Sequence, residues 1–236
     1  PELFEPEYNS TNASVMPAIA NTIYIVGLSL GVALPLGIFS AIYLTEYAKK
    51  GNKVVDIIRT TTDTLAGIPS IVYGLFGYMF FVVYLGWGYS LIAGALTLAI
   101  MVLPVVMSTT EEALRCVPDS YREASFGLGA GKLRTIFKIV LPSAMPGILS
   151  GVILSIGRIV GETAALIYTA GTVAQIPENV MGSGRTLAIH MYALWNEGLA
   201  SEKAYATAVI LLVLVIVINA VSGLIASKFG RGETNA

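Results

Sequence analysis

Five stretches of this sequence run for 20 residues or more with almost no charged side chain: approximately Pro17 to Leu44, Thr64 to Leu85, Tyr89 to Thr110, Ser143 to Thr169 and Ala204 to Ser227. In helical form about 20 such residues cross a hydrocarbon core roughly 30 Å thick. That constrains everything else, because in lipid every backbone polar group must be bonded within the protein, as in spanning helices or a closed barrel. A barrel needs short segments of alternating hydrophobicity, whereas these runs are continuously apolar. The expected fold class is an all-α membrane protein, with about five spans in a lipid bilayer.

Composition excludes the other classes. Of 236 residues, 55% are hydrophobic and only 12% charged, against about 25% charged in ordinary soluble domains. Net charge is −1, and no basic patch is interleaved with stacking aromatics, so a nucleic-acid partner is not expected. The single cysteine, Cys116, rules out an intramolecular disulfide framework and a multi-cysteine zinc site. His190 is the single histidine; without companions it reads as an ordinary loop residue, and no metal site is expected.

Loops on the cytoplasmic side of a membrane are enriched in Lys and Arg. With the amino end out and the carboxyl end in, the inner segments hold Lys49, Lys50, Lys53 and Arg59, then Arg115, Arg122, Lys132, Arg134 and Lys138, then Lys228 and Arg231. These make up 11 of the 14 basic residues. The expected organisation is an extracytoplasmic segment 1–16, a membrane domain 17–227 with an inner loop 111–142 and an external segment 171–203, and an inner tail 228–236. Pro1 to Val15, with Glu2, Glu5 and Glu7, lacks the positive start of a cleavable leader; since the sequence opens on Pro1, a start further upstream is expected. Pro35, Pro69 and Pro104 fall inside spans, where each predicts a kink.

The inner loop is the most informative segment. Ser120 stands three residues before Glu123, a capping-box pattern after Pro118, and Gly127, Gly129 and Gly131 are placed to end the short helix. A second amphipathic stretch runs from Lys132 to Leu141-Pro142. Gly131-Lys132-Leu133 is not a phosphate-binding loop, because Leu133 replaces the required Ser or Thr and Phe126 takes the place of the first glycine. Any nucleotide must be hydrolysed by a partner.

The fourth span carries Arg158 and Glu162, each costing on the order of 2.5 to 3.5 kcal/mol at a helix centre on insertion scales. At 100° per residue, Gly147, Gly151, Ser155, Arg158, Glu162, Ala165 and Thr169 share an arc of roughly 80°, a small and polar stripe. Two readings compete. Either the pair neutralises itself at i, i+4 while the glycines admit a close helix, or Arg158 offers a guanidinium to an oxyanion and Glu162 keeps that charge from trapping it.

The order Glu123-Ala124-Ser125, three residues, Gly129, nine residues, Ile139, one residue, Leu141-Pro142 resembles the EAA motif of ABC importer permeases, with Ser125 in place of the second alanine. In that family the segment is a coupling helix that docks into a groove of a separate ATPase. More narrowly, Thr64-Leu-Ala-Gly-Ile-Pro-Ser-Ile-Val-Tyr-Gly-Leu-Phe76, Thr109-Thr-Glu-Glu-Ala-Leu-Arg115 and Gly157-Arg-Ile-Val-Gly-Glu-Thr163 resemble the PstA-type permeases of phosphate ABC importers.

The resemblance implies a MetI-like ABC importer transmembrane helix bundle that imports inorganic phosphate in a prokaryotic cell membrane, the inner membrane if Gram-negative. It implies partners: a PstC-type second permease, a PstB-type ATPase dimer and a PstS-type phosphate-binding protein meeting the segment Gly171 to Lys203. This chain would bind no cofactor and catalyse nothing, ATP and Mg belonging to the ATPase. The substrate pathway would involve Arg158, Glu162, Glu111, Ser155 and Thr163, and ATPase coupling would involve Ser120, Glu123, Ala124, Ser125, Gly129, Ile139, Leu141 and Pro142. Some members have arginine where this chain has Ser108, which leaves Glu111 without that basic partner. Members commonly have a further amino-terminal span. A permease for sulfate or molybdate would share the coupling loop, and an autonomous secondary transporter is the rival class. Such transporters usually show inverted repeats, and none is convincing here.

Overall fold

A computed structural model of the chain describes residues 4–5, 8, 13–49, 51–197 and 201–230. Much of the expected amino-terminal segment, the counted Lys50 and Arg231, and positions 231–236 of the expected tail lie outside the described residues. The described residues form helices and connections with no strand: α1 (Met16–Ile42), α2 (Lys53–Ala66), α3 (Ser70–Gly77), α4 (Leu91–Cys116), α5 (Asp119–Gly127), α6 (Lys132–Thr135), α7 (Leu141–Val160), α8 (Ala164–Thr169), α9 (Leu187–Glu197) and α10 (Ser201–Gly230). Three π-helical stretches, Tyr43–Tyr47, Tyr78–Tyr84 and Ile136–Val140, prolong α1, prolong α3 and join α6 to α7.

Four continuous helices are long and apolar enough to cross a membrane: Met16–Tyr47, Leu91–Cys116, Lys132–Val160 and Glu202–Val221. A fifth crossing exists if α2 and the Ser70–Tyr84 helix count as one span broken by a 100° bend. The chain is thus a multi-pass helical membrane protein, but two expected spans are not the continuous helices the sequence suggested. Pro69 does not kink a helix: it has extended backbone at ψ 140° and separates α2 from α3, as a residue that cannot donate to the preceding turn does at a helix start. Pro35 and Pro104 lie inside unbroken α1 and α4. The fourth span ends at Val160, nine residues before the expected Thr169. α4 instead runs past Thr110 to Cys116, so Glu111 and Arg115 sit on a helix.

Two compact units organise these elements. The first comprises Pro1–Val32, Ile68–Val102 and Ile156–Ile218. Here α3 and α8 meet at backbone distance: a Cβ added at Gly74 would lie 2.7 Å from Ala165 Cα. Small residues at such crossings let helices approach where lipid supplies no hydrophobic drive. The free N–H groups at the start of α4 are answered from the segment after α8: Leu91 donates to Gly182 O and Ile92 to Val180 O, both at 3.0 Å. Asn21 on α1 holds the same segment, its amide donating to Gln175 O at 3.0 Å and Arg185 O at 3.2 Å.

The second unit comprises Ala33–Gly67, Leu103–Ser155 and Asn219–Ala236. Its apolar core joins Ile42, Leu114, Val117, Ile136, Val140 and Ile148. α7 packs on α4 through glycines, since a Cβ at Gly147 would lie 2.6 Å from that of Ala113, and one at Gly151 2.7 Å from that of Thr109. The two glycines of the expected polar stripe are therefore helix-packing residues.

Candidate functional site

Three groups of residues carry the chemistry, one in the first unit and two in the second. In the first unit, α7 stops because Gly161-Glu162-Thr163 turns out of the helix: Glu162 N bonds back only three residues, to Ile159 O at 3.2 Å. The carboxylate of Glu162 then accepts from Ala165 N at 3.0 Å and caps α8, a local side-chain-to-backbone bond that competes with helix continuation. Extrapolating the stripe at 100° per residue beyond Val160 therefore fails, and the i, i+4 ion pair of Arg158 with Glu162 is not made. Arg158 is half-buried in the last turn of α7 and has no carboxylate within ion-pair distance among the described residues. Its electrostatic neighbour is Tyr73, the buried phenol of the Ile68-Pro-Ser-Ile-Val-Tyr73 motif. Thr163 stands at the entry to α8 without a capping bond.

In the second unit, Ser155 is fully buried and donates to Gly151 O of its own helix at 2.9 Å. Glu111, buried on α4, receives Arg59 Nε of α2 at 2.5 Å and also Arg115, one turn further along α4. The resemblance left Glu111 short of a basic partner; the structure supplies two, and Ser108 bonds only the Val105 carbonyl at 3.2 Å. Arg59 was not legible because it acts across 52 positions of sequence.

The α4-to-α7 connection forms the third group. α5 begins at Asp119 after Pro118 and makes no side-chain capping bond, so the Ser120–Glu123 capping box is not formed: helix entry falls two residues early, set by the extended backbone of Pro118. Its end is as expected. Gly129 has φ +82°, Gly129 N bonds Phe126 O at 2.9 Å, and Ala130 N bonds Ser125 O at 3.1 Å, the paired bonds of a Schellman stop that favours glycine. Ser125 is buried with its hydroxyl 2.8 Å from that of Thr135, so the departure from the two-alanine pattern is matched by a partner ten residues on. Glu123, Ala124 and Gly129 are exposed, and Leu128 is 89% exposed.

Ile139 lies in the π-helical stretch, and Leu141 packs on the core. Pro142, exposed in the first turn of α7, has no N–H for the preceding turn, and the wider π-helix accommodates its ring. Arg122, read from sequence only as one basic residue of the loop, is bonded to Glu46 at 2.7 Å.

A buried polar pair outside these groups was also missed. Arg185 Nε donates to His190 Nδ1 at 3.0 Å, both residues fully buried, with the Arg185 guanidinium 4.6 Å from the centre of the Tyr8 ring. His190 is not an ordinary loop residue: burial first, and then the Arg185 charge, pull its pKa down to about 4, opposed by the Ala13 backbone carbonyl, which favours the protonated ring.

The described residues thus give a multi-pass helical protein with a glycine-stopped helix between two spans and an arginine in the last turn of an apolar helix. Residues 33–231 match the family of binding-protein-dependent transport system inner membrane components, and the chain belongs to that family. Within it, the chain is 40% identical over 214 residues to the phosphate transport system permease protein PstA 1 of Mycobacterium tuberculosis (strain ATCC 25618 / H37Rv), covering 89% of this chain and 69% of that protein. It is 36% identical over 226 residues to the probable ABC transporter permease protein YqgI of Bacillus subtilis, covering 89% and 76%. Among solved structures, an inward-facing form of the MetNI methionine ABC transporter shares the fold at a TM-score of 0.69 and 22% identity, over 91% of this chain and 94% of that one. A bacterial ABC transporter involved in the import of the acidic polysaccharide alginate shares it at a TM-score of 0.64 and 16% identity, over 96% of this chain and 86% of that one.

Proposed function

We propose that this chain is the phosphate-conducting permease subunit of an ATP-driven importer. The observation that carries the reading is Arg158: a half-buried guanidinium in an apolar helix without a carboxylate partner among the described residues. A desolvated oxyanion needs charge-assisted donors, and the planar fork of arginine supplies two in parallel. Kinship with the M. tuberculosis PstA 1 permease supports phosphate as the anion. Glu162 bonds the start of α8, which leaves Arg158 open to the anion; as phosphate leaves, Glu162 turns to Arg158 and makes the exchange nearly balanced. Thr163 and Ser155 flank this segment, and Glu111 with Arg59 and Arg115 forms a second charged station.

The exposed face of α5, with Ser120, Glu123, Ala124 and Gly129, docks a partner ATPase that binds ATP and Mg, while this chain binds no cofactor. The remaining partners are a second permease and an external phosphate-binding protein. The bias of Lys and Arg toward the inner loops supports an amino end outside and a carboxyl end inside, in a prokaryotic cell membrane. Sulfate or molybdate would use the same guanidinium chemistry, so the test separates the anions. In the purified assembly, phosphate-loaded binding protein should stimulate ATP hydrolysis. Stimulation by a sulfate- or molybdate-loaded protein alone would reassign the substrate, and hydrolysis indifferent to any loaded protein would end the importer reading.

A further inference from the structure

Arg122 uses every donor it has. Its Nη2 bonds Glu46 Oε1 at 2.7 Å and Leu114 O at 2.9 Å; its Nη1 bonds Val117 O at 2.8 Å and Asp119 Oδ1 at 3.3 Å; its Nε bonds Glu46 Oε1 at 3.2 Å. Leu114 O belongs to the last turn of α4 and Val117 O to the residue just beyond it, where carbonyls have no partner within the helix. Glu46 belongs to the π-helical end of α1. One side chain on α5 thus ties that helix to the ends of two spans 76 and 8 residues away in sequence.

The tie is shielded from solvent. The Arg122 side chain is 15% exposed and that of Glu46 9%, unlike the surface ion pairs that contribute little. A guanidinium held by a carboxylate and two carbonyls has one geometry, and lysine cannot reproduce it. A second side-chain attachment of α5 is the Ser125–Thr135 hydroxyl pair, one turn further along the same face of the helix. The covalent links, by contrast, are the two residues Val117-Pro118 and the turn around Gly129.

We propose that Arg122 is the positioning residue for transmission: when the docked ATPase displaces α5, Arg122 carries the displacement directly into the ends of α1 and α4. The π-helical stretch Tyr43–Tyr47 is where α1 yields, a π-turn being a rare interruption of the α-helical ladder that recurs at functional sites. Arg122 is only 15% exposed and spends its donors within the chain, so its loss should separate docking from coupling. This rests on the importer reading, and the experiment distinguishes the two.

The assembled transporter carries Arg122→Gln, Arg122→Lys or Glu46→Gln, and each is scored for retention of the ATPase subunit on purification and for the ratio of stimulated to basal ATP hydrolysis. The wild type is first run with phosphate-, sulfate- and molybdate-loaded binding protein, and the stimulating anion is used for the variants, so a wrong substrate appears in the wild type alone. A second readout needs no anion: hydrogen exchange of the Tyr43–Ala48 backbone with and without vanadate-trapped ADP on the ATPase.

Expected is full ATPase retention with the stimulation ratio reduced about tenfold in Arg122→Gln and nearly as much in Arg122→Lys, the range of typical coupling energies between sites. Glu46→Gln, which leaves the carbonyl bonds, loses less. The nucleotide-dependent change in exchange at Tyr43–Ala48 disappears in Arg122→Gln. A ratio within about twofold of wild type with the exchange change intact overturns the proposal. So does loss of the ATPase in both arginine variants, which would make Arg122 an assembly residue.

Discussion

Gly74→Ala tests how α8, and with it the Glu162 carboxylate, is held. The new Cβ would lie 2.7 Å from Ala165 Cα, 3.2 Å from Ala165 O and 3.3 Å from Ala164 O. All three are backbone atoms, so no side chain can rotate away, and α8 must shift by most of an ångström to restore ordinary contact. Overpacking of this kind costs about 1–3 kcal/mol, whereas replacing a helical glycine by alanine returns roughly 0.5–1 kcal/mol of propensity. The clash wins, for a net loss of up to about 2 kcal/mol, or roughly 4 to 8 °C in Tm on the scaling for chains of this length. Gly27→Ala is the control: nothing lies within 4 Å of its added Cβ, so it should be neutral or slightly stabilising. The assay is thermal unfolding of both variants in the same detergent, followed by phosphate uptake. Because Glu162 bonds Ala165 N, Gly74→Ala should lower uptake as well as Tm. Equal Tm and uptake in the two variants would refute the α3–α8 contact.

Gly129→Val should weaken ATPase retention through backbone strain alone, since φ is +82° and nothing lies within 4 Å of an added Cβ; the left-handed conformation costs a β-branched residue upward of roughly 1–2 kcal/mol, and Gly129→Asn should retain most of the function. His190 gives a pH dependence of defined sign. Its folded pKa of about 4 lies below the ordinary 6.5, so above about pH 6.5 it contributes no pH dependence. As pH falls from there toward 4 the unfolded chain takes up the proton first, and stability drops by up to about 3 kcal/mol. Tm measured at pH 7.5 and 5 should differ in the wild type, and the difference should shrink in His190→Gln, where the Gln carbonyl can still accept from Arg185.

What the sequence made legible was what local pattern decides. The charge-free runs announced the spans, and Gly129 announced a left-handed stop that its φ of +82° shows. The misses have one physical origin: the deciding bond was not local, or was local but outside the helical period. Arg59 reaches Glu111 across 52 positions, and Arg122 reaches Glu46 across 76; no window of sequence contains either pair. Ser125 stands in the motif only as a replacement for the second alanine, and its partner Thr135 is ten residues on. Glu162 was placed on an unbroken helix because apolar content continued to Thr169. The competing signal, a carboxylate three residues before Ala165 N after a glycine, is a helix-start pattern inside a span.

If Arg158 and Glu162 act on the moving anion, uptake of labelled phosphate by reconstituted assemblies with matched subunit levels depends on both. Arg158→Ala should lower uptake by roughly 10- to 100-fold, the range for losing hydrogen bonds to a charged group. Glu162→Gln should also lower it, because the arginine then holds the anion without a competitor. In both variants the ATPase should remain bound, since α5 is untouched. Wild-type uptake in the double variant Arg158→Met with Glu162→Leu would exclude a role in conduction and leave the two residues as elements of packing.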